Sequence, residues 1–234
     1  MVATTGVRRN ARIDLDVIRS TAASAASLLP DCTADLRADA YGHGLIPVAR
    51  ALTDAGVGGF LVSRVEDAAA IADDGVPARV FVGQAPGDVL GPSLFGLDAA
   101  QPTAPAMRLT GEIVSVRRVP ADRGVSYGYT YRTSRPSTLV LVALGYADGI
   151  LRVASNKAPV KVGDTVGRIT GRIAMDQFVV DIGDDSAHPG DPVVLFGDPE
   201  LGEPTVLDWA DALGVAAPVI TSRLGRRIER TYNG

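Results

Sequence analysis

The run Leu36-Arg37-Ala38-Asp39-Ala40-Tyr41-Gly42-His43-Gly44 sets a guanidinium, Arg37, ahead of a phenol, Tyr41, and ends in a turn at Gly42 and Gly44. Imine chemistry needs an amine that loses its proton and attacks an aldehyde, which a desolvated lysine does. A guanidinium stays protonated with its lone pairs delocalised, so Arg37 forms no imine. The other residues offer little to replace it: the only lysines, Lys157 and Lys161, fall in the second half of the chain. Besides a new task, Arg37 has two plain readings, a general bias of the chain toward arginine, with two lysines beside 21 arginines, and a structural ion pair. Further on, Leu144-Gly145-Tyr146-Ala147-Asp148-Gly149 and Gly171-Arg172-Ile173-Ala174-Met175-Asp176-Gln177 hold a second phenol and a methionine in Gly-bounded turns. A phenol with the ordinary pKa of about 10 needs a positive charge beside it to act as a base near neutrality. On residue type alone Tyr146 is a turn tyrosine and Met175 a core filler.

These residues must be positioned by short elements. From Asp14 the apolar residues Leu15, Ile18, Ala22, Ala25 and Leu29 alternate steps of three and four before Pro30, which predicts one face of a helix. Cys32 to Ala40 reads as a strand, followed by the Gly42/Gly44 turn and a helix from about Pro47 to Ala55. Gly59 to Val62 is strand-like, and Ser63-Arg64-Val65-Glu66 has the spacing of a capping box for a helix running to about Asp74. A third strand is expected at Ala78 to Val82, then an apolar segment from Gly91 to Leu97. Strand alternating with helix argues for a parallel sheet. Past Gln101 to Pro105 the pattern turns mostly β, with strands expected at Leu139 to Leu144, Val160 to Ile169, Ile173 to Ile182 and Pro192 to Phe196, and one helix from Thr205 to before Gly214. The expected domains are therefore 1–105, α/β, and 106–234, mostly β.

Composition bounds the rest. With 234 residues, 46% of them hydrophobic, the chain can bury a sizeable core. A net charge of -4 gives no drive toward nucleic acid or anionic membranes. The basic cluster Arg223, Arg226, Arg227 and Arg230 reads more simply as a solvated or salt-bridged face than as a phosphate site. Cys32 is the single cysteine and reads as a small buried hydrophobe. No intrachain disulfide forms, no metal site is expected, and neither leader nor spanning segment is evident, which points to a cytoplasmic protein.

The Leu36 to Gly44 run closely resembles the signature at the end of the first barrel strand of the alanine racemase family, which has lysine where this chain has Arg37. Gly124-Val125-Ser126-Tyr127-Gly128 and the Tyr146 and Met175 motifs follow in the order of that family's C-terminal β domain. The resemblance implies pyridoxal 5'-phosphate as cofactor, an isomerase interconverting L- and D-alanine for peptidoglycan precursors, and a homodimer in which each β domain completes the other subunit's site. It assigns Arg37 to the position of the cofactor lysine, Tyr41 to the cofactor phosphate, Tyr146 to the second acid/base and Met175 to the substrate pocket. Val89 stands where the family places an arginine against the pyridine nitrogen. Only about a hundred residues precede the β domain, whereas a (β/α)8 barrel takes ~200 to 250. The expectation is an incomplete barrel of three or four strands followed by the C-terminal β domain. Its exposed edges invite a partner. Two functions remain open: a racemase impaired by Arg37, and a non-catalytic dimerisation partner or regulator of a full-length racemase. A decayed gene product is a third.

Overall fold

Asp14 ends strand β1 (Arg9–Asp14) and starts helix α1 (Leu15–Leu28), its carboxylate accepting from the amides of Asp16 and Val17, which the first helical turn leaves unpaired. The computed structural model describes residues 6–29 and 31–234. Pro30, the expected stop of α1, lies outside the described residues, as does the start of the chain through residue 5. The chain divides into two compact units. One consists of Arg12–Met107, Ala217–Ser222 and Arg230–Gly234; the other of the described part of Met1–Ala11, Arg108–Ala216 and Arg223–Glu229.

The first unit is α/β. After α1 come β2 (Thr33–Asp35), the single turn α2 (Arg37–Tyr41), α3 (Leu45–Asp54), β3 (Gly59–Val62), α4 (Val65–Asp73), β4 (Arg79–Val82) and β5 (Val89–Leu90). The strands form a parallel sheet in the order β4-β3-β2-β5. Helix α1 packs on α3, and α3 on α4. Ile18, Ala22, Val48, Leu52, Phe60 and Phe95 are fully buried. Of the stripe read from the sequence, Ile18 and Ala22 form the core face, Leu15 and Ala25 are half-buried, and Leu29, past the end of the helix, is exposed. Two expectations need correction. Strand β2 ends at Asp35 rather than Ala40, because Ala38 to Tyr41 all take positive φ. The capping box at Ser63 does not form: Arg64 is the N-cap, without a side-chain capping bond, and Glu66 accepts from Arg64 Nε at 3.2 Å instead. The apolar segment after Gly91 is a 3-10 turn, Pro92–Phe95, preceded by the two-residue β5; proline lacks the amide a ladder needs.

The second unit is built on β6 (Met107–Val119), β7 (Gly124–Val125), β8 (Tyr131–Arg132), β9 (Ser137–Val142), β10 (Pro159–Val162), β11 (Thr165–Thr170), β12 (Phe178–Asp181) and β13 (Pro192–Phe196). The ladder runs β13-β10-β11-β12-β9-β6 and then closes, since β13 also pairs with β6. Each of these pairs is antiparallel. Closure is possible because β6 serves two neighbours, β13 along Leu109 to Glu112 and β9 from Ile113 onward, with a register shift between Ile113 and Ser115. Val140, Val142, Val160, Phe178 and Val180 are buried at alternate positions of their strands, whereas β13 is buried continuously from Val193 to Phe196. Val160 to Ile169 is two strands rather than one, and Ile173 to Ile182 pairs only from Phe178 to Asp181. Helix α5 (Val206–Leu213) starts with a capping box between Thr205 and Asp208. Its buried Trp209 donates from Nε1 to Pro159 O at 2.8 Å and meets Phe196 edge-on. The short α6 (Ala217–Thr221) and the strand β14 (Glu229–Asn233) complete the element order.

Candidate functional site

In the α/β unit the expected chemistry converges on a residue that no motif marked, Asp35. Its side chain, at the C-terminal end of the buried β2, is 3% exposed. Asp35 Oδ1 accepts from Arg37 Nε at 2.9 Å and from the Arg37 amide at 3.1 Å; Oδ2 accepts from Arg37 Nη2 and from the Tyr41 hydroxyl, both at 2.6 Å. The two guanidinium bonds make the parallel fork that arginine forms with a carboxylate. Burial alone pushes the Asp35 carboxyl up, but the hydrogen bonds from Arg37 and Tyr41 outweigh it and hold the group below its ordinary value. Burial, then the bond to Asp35, raises the Tyr41 phenol well above its ordinary value. The bond to Asp35 also raises the Arg37 guanidinium, which stays a cation. Of the plain readings of Arg37, the structure has the ion pair.

Tyr41 reaches Asp35 because the chain after Arg37 winds left-handed. Ala38, Asp39, Ala40 and Tyr41 have φ of 54°, 60°, 52° and 54°. Such a conformation costs about 1–2 kcal/mol per residue for L-amino acids, so surrounding bonds must hold it. They do: Ala40 N donates to Leu36 O, Gly44 N to Asp39 O at 2.9 Å, and Leu45 N to the Asp39 carboxylate at 2.7 Å. From the C-terminal segment, Arg230 Nε donates to Gly42 O at 2.8 Å. Gly44, with φ of 98°, lies so close to the end of the chain that a Cβ there would stand 2.0 Å from the Tyr232 hydroxyl. His43 is fully buried, its ring 4.7 Å from Phe95, with Nδ1 3.0 Å from Ala40 O and Nε2 without a hydrogen-bond partner among the described residues. Burial pushes its pKa down to about 4, so the imidazole is neutral.

In the barrel unit the Tyr146 and Met175 motifs are adjacent loops. Tyr146 N donates to Ala174 O at 3.1 Å and Ala147 N to Met175 O at 2.9 Å. A Cβ on Gly145 would stand 2.3 Å from Met175 O, so only glycine allows this approach. Asp148, with a side chain 0% exposed, accepts from Gly145 N at 2.8 Å and Arg227 Nε at 2.8 Å. The other arm of Arg227 donates to Asp176 at 2.7 Å, so one guanidinium ties both motifs. The two side chains at issue point outward: Tyr146, in a 3-10 turn, is 41% exposed, and Met175 is 53% exposed and so is not the core filler that its type alone suggests. Arg152 places its guanidinium carbon 5.6 Å from the Tyr146 ring centre, a positive charge beside the phenol. Tyr127 and Tyr129 are exposed as well.

The structure thus brings Arg37 and Tyr41 together through Asp35, and Tyr146 and Met175 together through paired loops. Val89 is exposed on β5. Lys161 donates to Leu201 O. A recess of about 510 Å³ in the barrel unit is lined by Arg117, Arg123, Leu139, Leu141 and Val179 among others, and contains none of the expected site residues. Sequence reading missed Asp35, Arg227 as a tie, and Tyr232; the available signals were an acid two residues before a cation and the C-terminal arginine-rich pattern. Cys32 is buried, as its type suggested. Among the described residues no helix is long and apolar enough to cross a membrane, and no group of three or more His, Cys, Asp or Glu is placed to hold a metal ion.

Comparison with known proteins bears on both units. Residues 13–92 match the family model "Alanine racemase, N-terminal domain" and residues 106–232 match "Alanine racemase, C-terminal domain". An alanine racemase of Thermobifida fusca is 52% identical over 130 residues, 56% of this chain and 35% of that protein. One of Frankia casuarinae is 50% identical over 157 residues, 67% of this chain and 39% of that protein. The chain therefore spans well under half the length of these relatives. The crystal structure of alanine racemase from D-cycloserine-producing Streptomyces lavendulae superposes with a TM-score of 0.91 at 26% identity, the aligned span reaching 98% of both chains. That of Streptomyces coelicolor gives 0.85 at 27%, over 96% of this chain and 98% of the other. With the C-terminal model alone matching more than half of its residues, this chain belongs to the alanine racemase family.

Proposed function

We propose that this chain is an alanine racemase family protein without autonomous racemisation of alanine. The observation that carries the reading is the commitment of Arg37 to Asp35, two parallel bonds of 2.9 and 2.6 Å from a guanidinium to a buried carboxylate. A solved relative from Bartonella henselae is described with covalently bound pyridoxal phosphate. The residues here do not fit that group. Position 37 offers no amine, the Tyr41 hydroxyl already donates to Asp35, and an aldehyde phosphate would approach a buried negative charge. No catalytic step through the cofactor is therefore assigned to this chain, and the four parallel strands of its α/β unit are read as the remnant of a (β/α)8 barrel, with domains at 1–105 and 106–234. The test is the absorption spectrum of the purified protein with pyridoxal phosphate, followed by borohydride reduction, peptide mapping and an L-alanine conversion assay. The expected result is no site-specific adduct and no D-alanine. A single mapped lysine adduct with turnover overturns the reading.

A second reading follows from a separate observation. Tyr146 and Met175 stand exposed on a pinned loop pair, with Tyr127 and Tyr129 exposed in the same unit, a composition rich in the residues that anchor interfaces. Such a surface suits a non-catalytic partner that lends Tyr146 and Met175 to the site of a full-length racemase, as a heterodimer or within a homodimer. Co-expression with the host's full-length racemase should yield a co-purifying complex. Two separate species on size exclusion would remove this reading.

A further inference from the structure

The absence of an amine at position 37 explains only part of what the structure has done at the end of β2. We propose that Asp35 is the residue that closes this strand end to an aldehyde cofactor, by gathering the residue at position 37 and the Tyr41 hydroxyl into one buried, self-satisfied cluster. The inference deepens the proposed function and rests on it.

Strand β2 lies inside the parallel sheet, and Thr33, Ala34, Asp35 and Leu36 are all buried. A lone carboxylate there would be costly, and it survives because it is paired. It accepts four hydrogen bonds, two on each oxygen, which is about the capacity of an ionised carboxylate. The cluster is therefore complete without a ligand. The Tyr41 hydroxyl has one proton to donate, and donates it at 2.6 Å to Asp35, so it has none left for a phosphate oxygen. A phosphate brought to Tyr41 would also meet the carboxylate, and like charges that close repel strongly where water is scarce.

The same geometry predicts that restoring the amine alone is insufficient. An ammonium at position 37 would find the carboxylate two residues back and pair with it. Pairing favours the protonated form, and each unit of upward pKa shift lowers the reactive neutral fraction about tenfold. Neutralising position 35 removes both obstacles.

The test compares the full-length wild-type chain with Arg37→Lys, Asp35→Asn and the double variant Asp35→Asn/Arg37→Lys. Each is mixed with pyridoxal phosphate, reduced with borohydride and peptide-mapped, with labelling of Lys157 and Lys161 as the internal reference. The expected result is labelling of position 37 in the double variant at least tenfold above that in Arg37→Lys. Equal labelling in the two, or none in either, overturns the role of Asp35. Thermal melts establish that each variant folds, and Asp35→Val/Arg37→Lys replaces the double variant if the asparagine does not. An adduct on Lys157 or Lys161 with L-alanine turnover in the wild-type chain would instead overturn the proposed function, an outcome read from a different protein and a different peptide.

Discussion

Arg37 and Asp35 form a forked ion pair in which the carboxylate is buried and the guanidinium half exposed, with side-chain exposures of 3% and 49%. The pair is short in sequence and sits where the parallel sheet meets the left-handed turn, so its loss should be felt in stability as well as chemistry. Arg37→Ala leaves a buried carboxylate with the Tyr41 hydroxyl as its side-chain donor. Removing one partner of a fully buried pair costs about 3–5 kcal/mol; with one partner half in water, about 1–3 kcal/mol is expected here. Urea denaturation should show a lower midpoint at unchanged slope. No change in midpoint would mean that the pair contributes nothing to the fold.

The double variant Asp35→Leu/Arg37→Leu should behave differently from either single change. Replacing both members of a buried pair by apolar residues is often neutral or stabilising by ~1–4 kcal/mol, whereas single removals strand a charge. A double variant more stable than Arg37→Ala in the same denaturation series is expected. A double variant at least as unstable as the sum of the two singles would argue that the turn, rather than the charge, depends on these side chains.

His43 gives the unit a pH dependence. Its folded pKa is pushed down to about 4 by burial, against an ordinary value near 6.5. The unfolded chain therefore binds a proton that the folded chain refuses. The stability tied to neutral His43 is complete above pH ~6.5 and is lost progressively as pH falls toward about 4. Denaturant midpoints at pH 7, 5.5 and 4.5 should fall in the wild type and fall less in His43→Gln. Parallel pH profiles for the two proteins would show that the imidazole plays no part. The Asp35 carboxyl, held below its ordinary value, adds a second loss at lower pH.

Gly44 and Tyr232 approach so closely that a methyl group at 44 stands 2.0 Å from the phenol oxygen, on a backbone with φ of 98°. Gly44→Ala should lower the melting temperature through both clash and strain, about 1–3 kcal/mol each. Gly44→Ala/Tyr232→Ala should recover the part due to the clash and leave the part due to φ. A double variant no more stable than the sum of the singles predicts would place Tyr232 elsewhere than against Gly44.

Arg227 ties the Tyr146 loop to the Met175 loop through Asp148 and Asp176. Among the described residues, Arg227→Met should leave the buried Asp148 with only Gly145 N and the more distant Arg9 Nε at 3.5 Å, and should speed amide hydrogen exchange at Tyr146 and Ala147, whose amides bond to Ala174 O and Met175 O. Exchange unchanged at these two amides, with the rest of the barrel intact, would mean that the loops hold without the guanidinium.

Much of the local structure follows from residue patterns that depend only on near neighbours. The 3.6-residue pattern from Leu15, the helix from Thr205 to before Gly214, and β13 at Pro192 to Phe196 were legible, because amphipathic periodicity and helix-stopping glycines act over a few residues. The motifs around Arg37, Tyr146 and Met175 identified the family, and residue chemistry alone showed that position 37 carries no imine-forming amine. Other features were decided by contacts distant in sequence. The closure of the β ladder depends on β6 pairing with β13, some eighty residues away, through a register shift that no local pattern encodes. The left-handed run at Ala38 to Tyr41 contradicts the preferences of its own residues and is pinned in part from the other end of the chain, by Arg230 on Gly42 O. That turn carries Tyr41 back to Asp35, and so tertiary structure gave Arg37 its role as an ion-pair partner and left Tyr146 exposed beside Arg152.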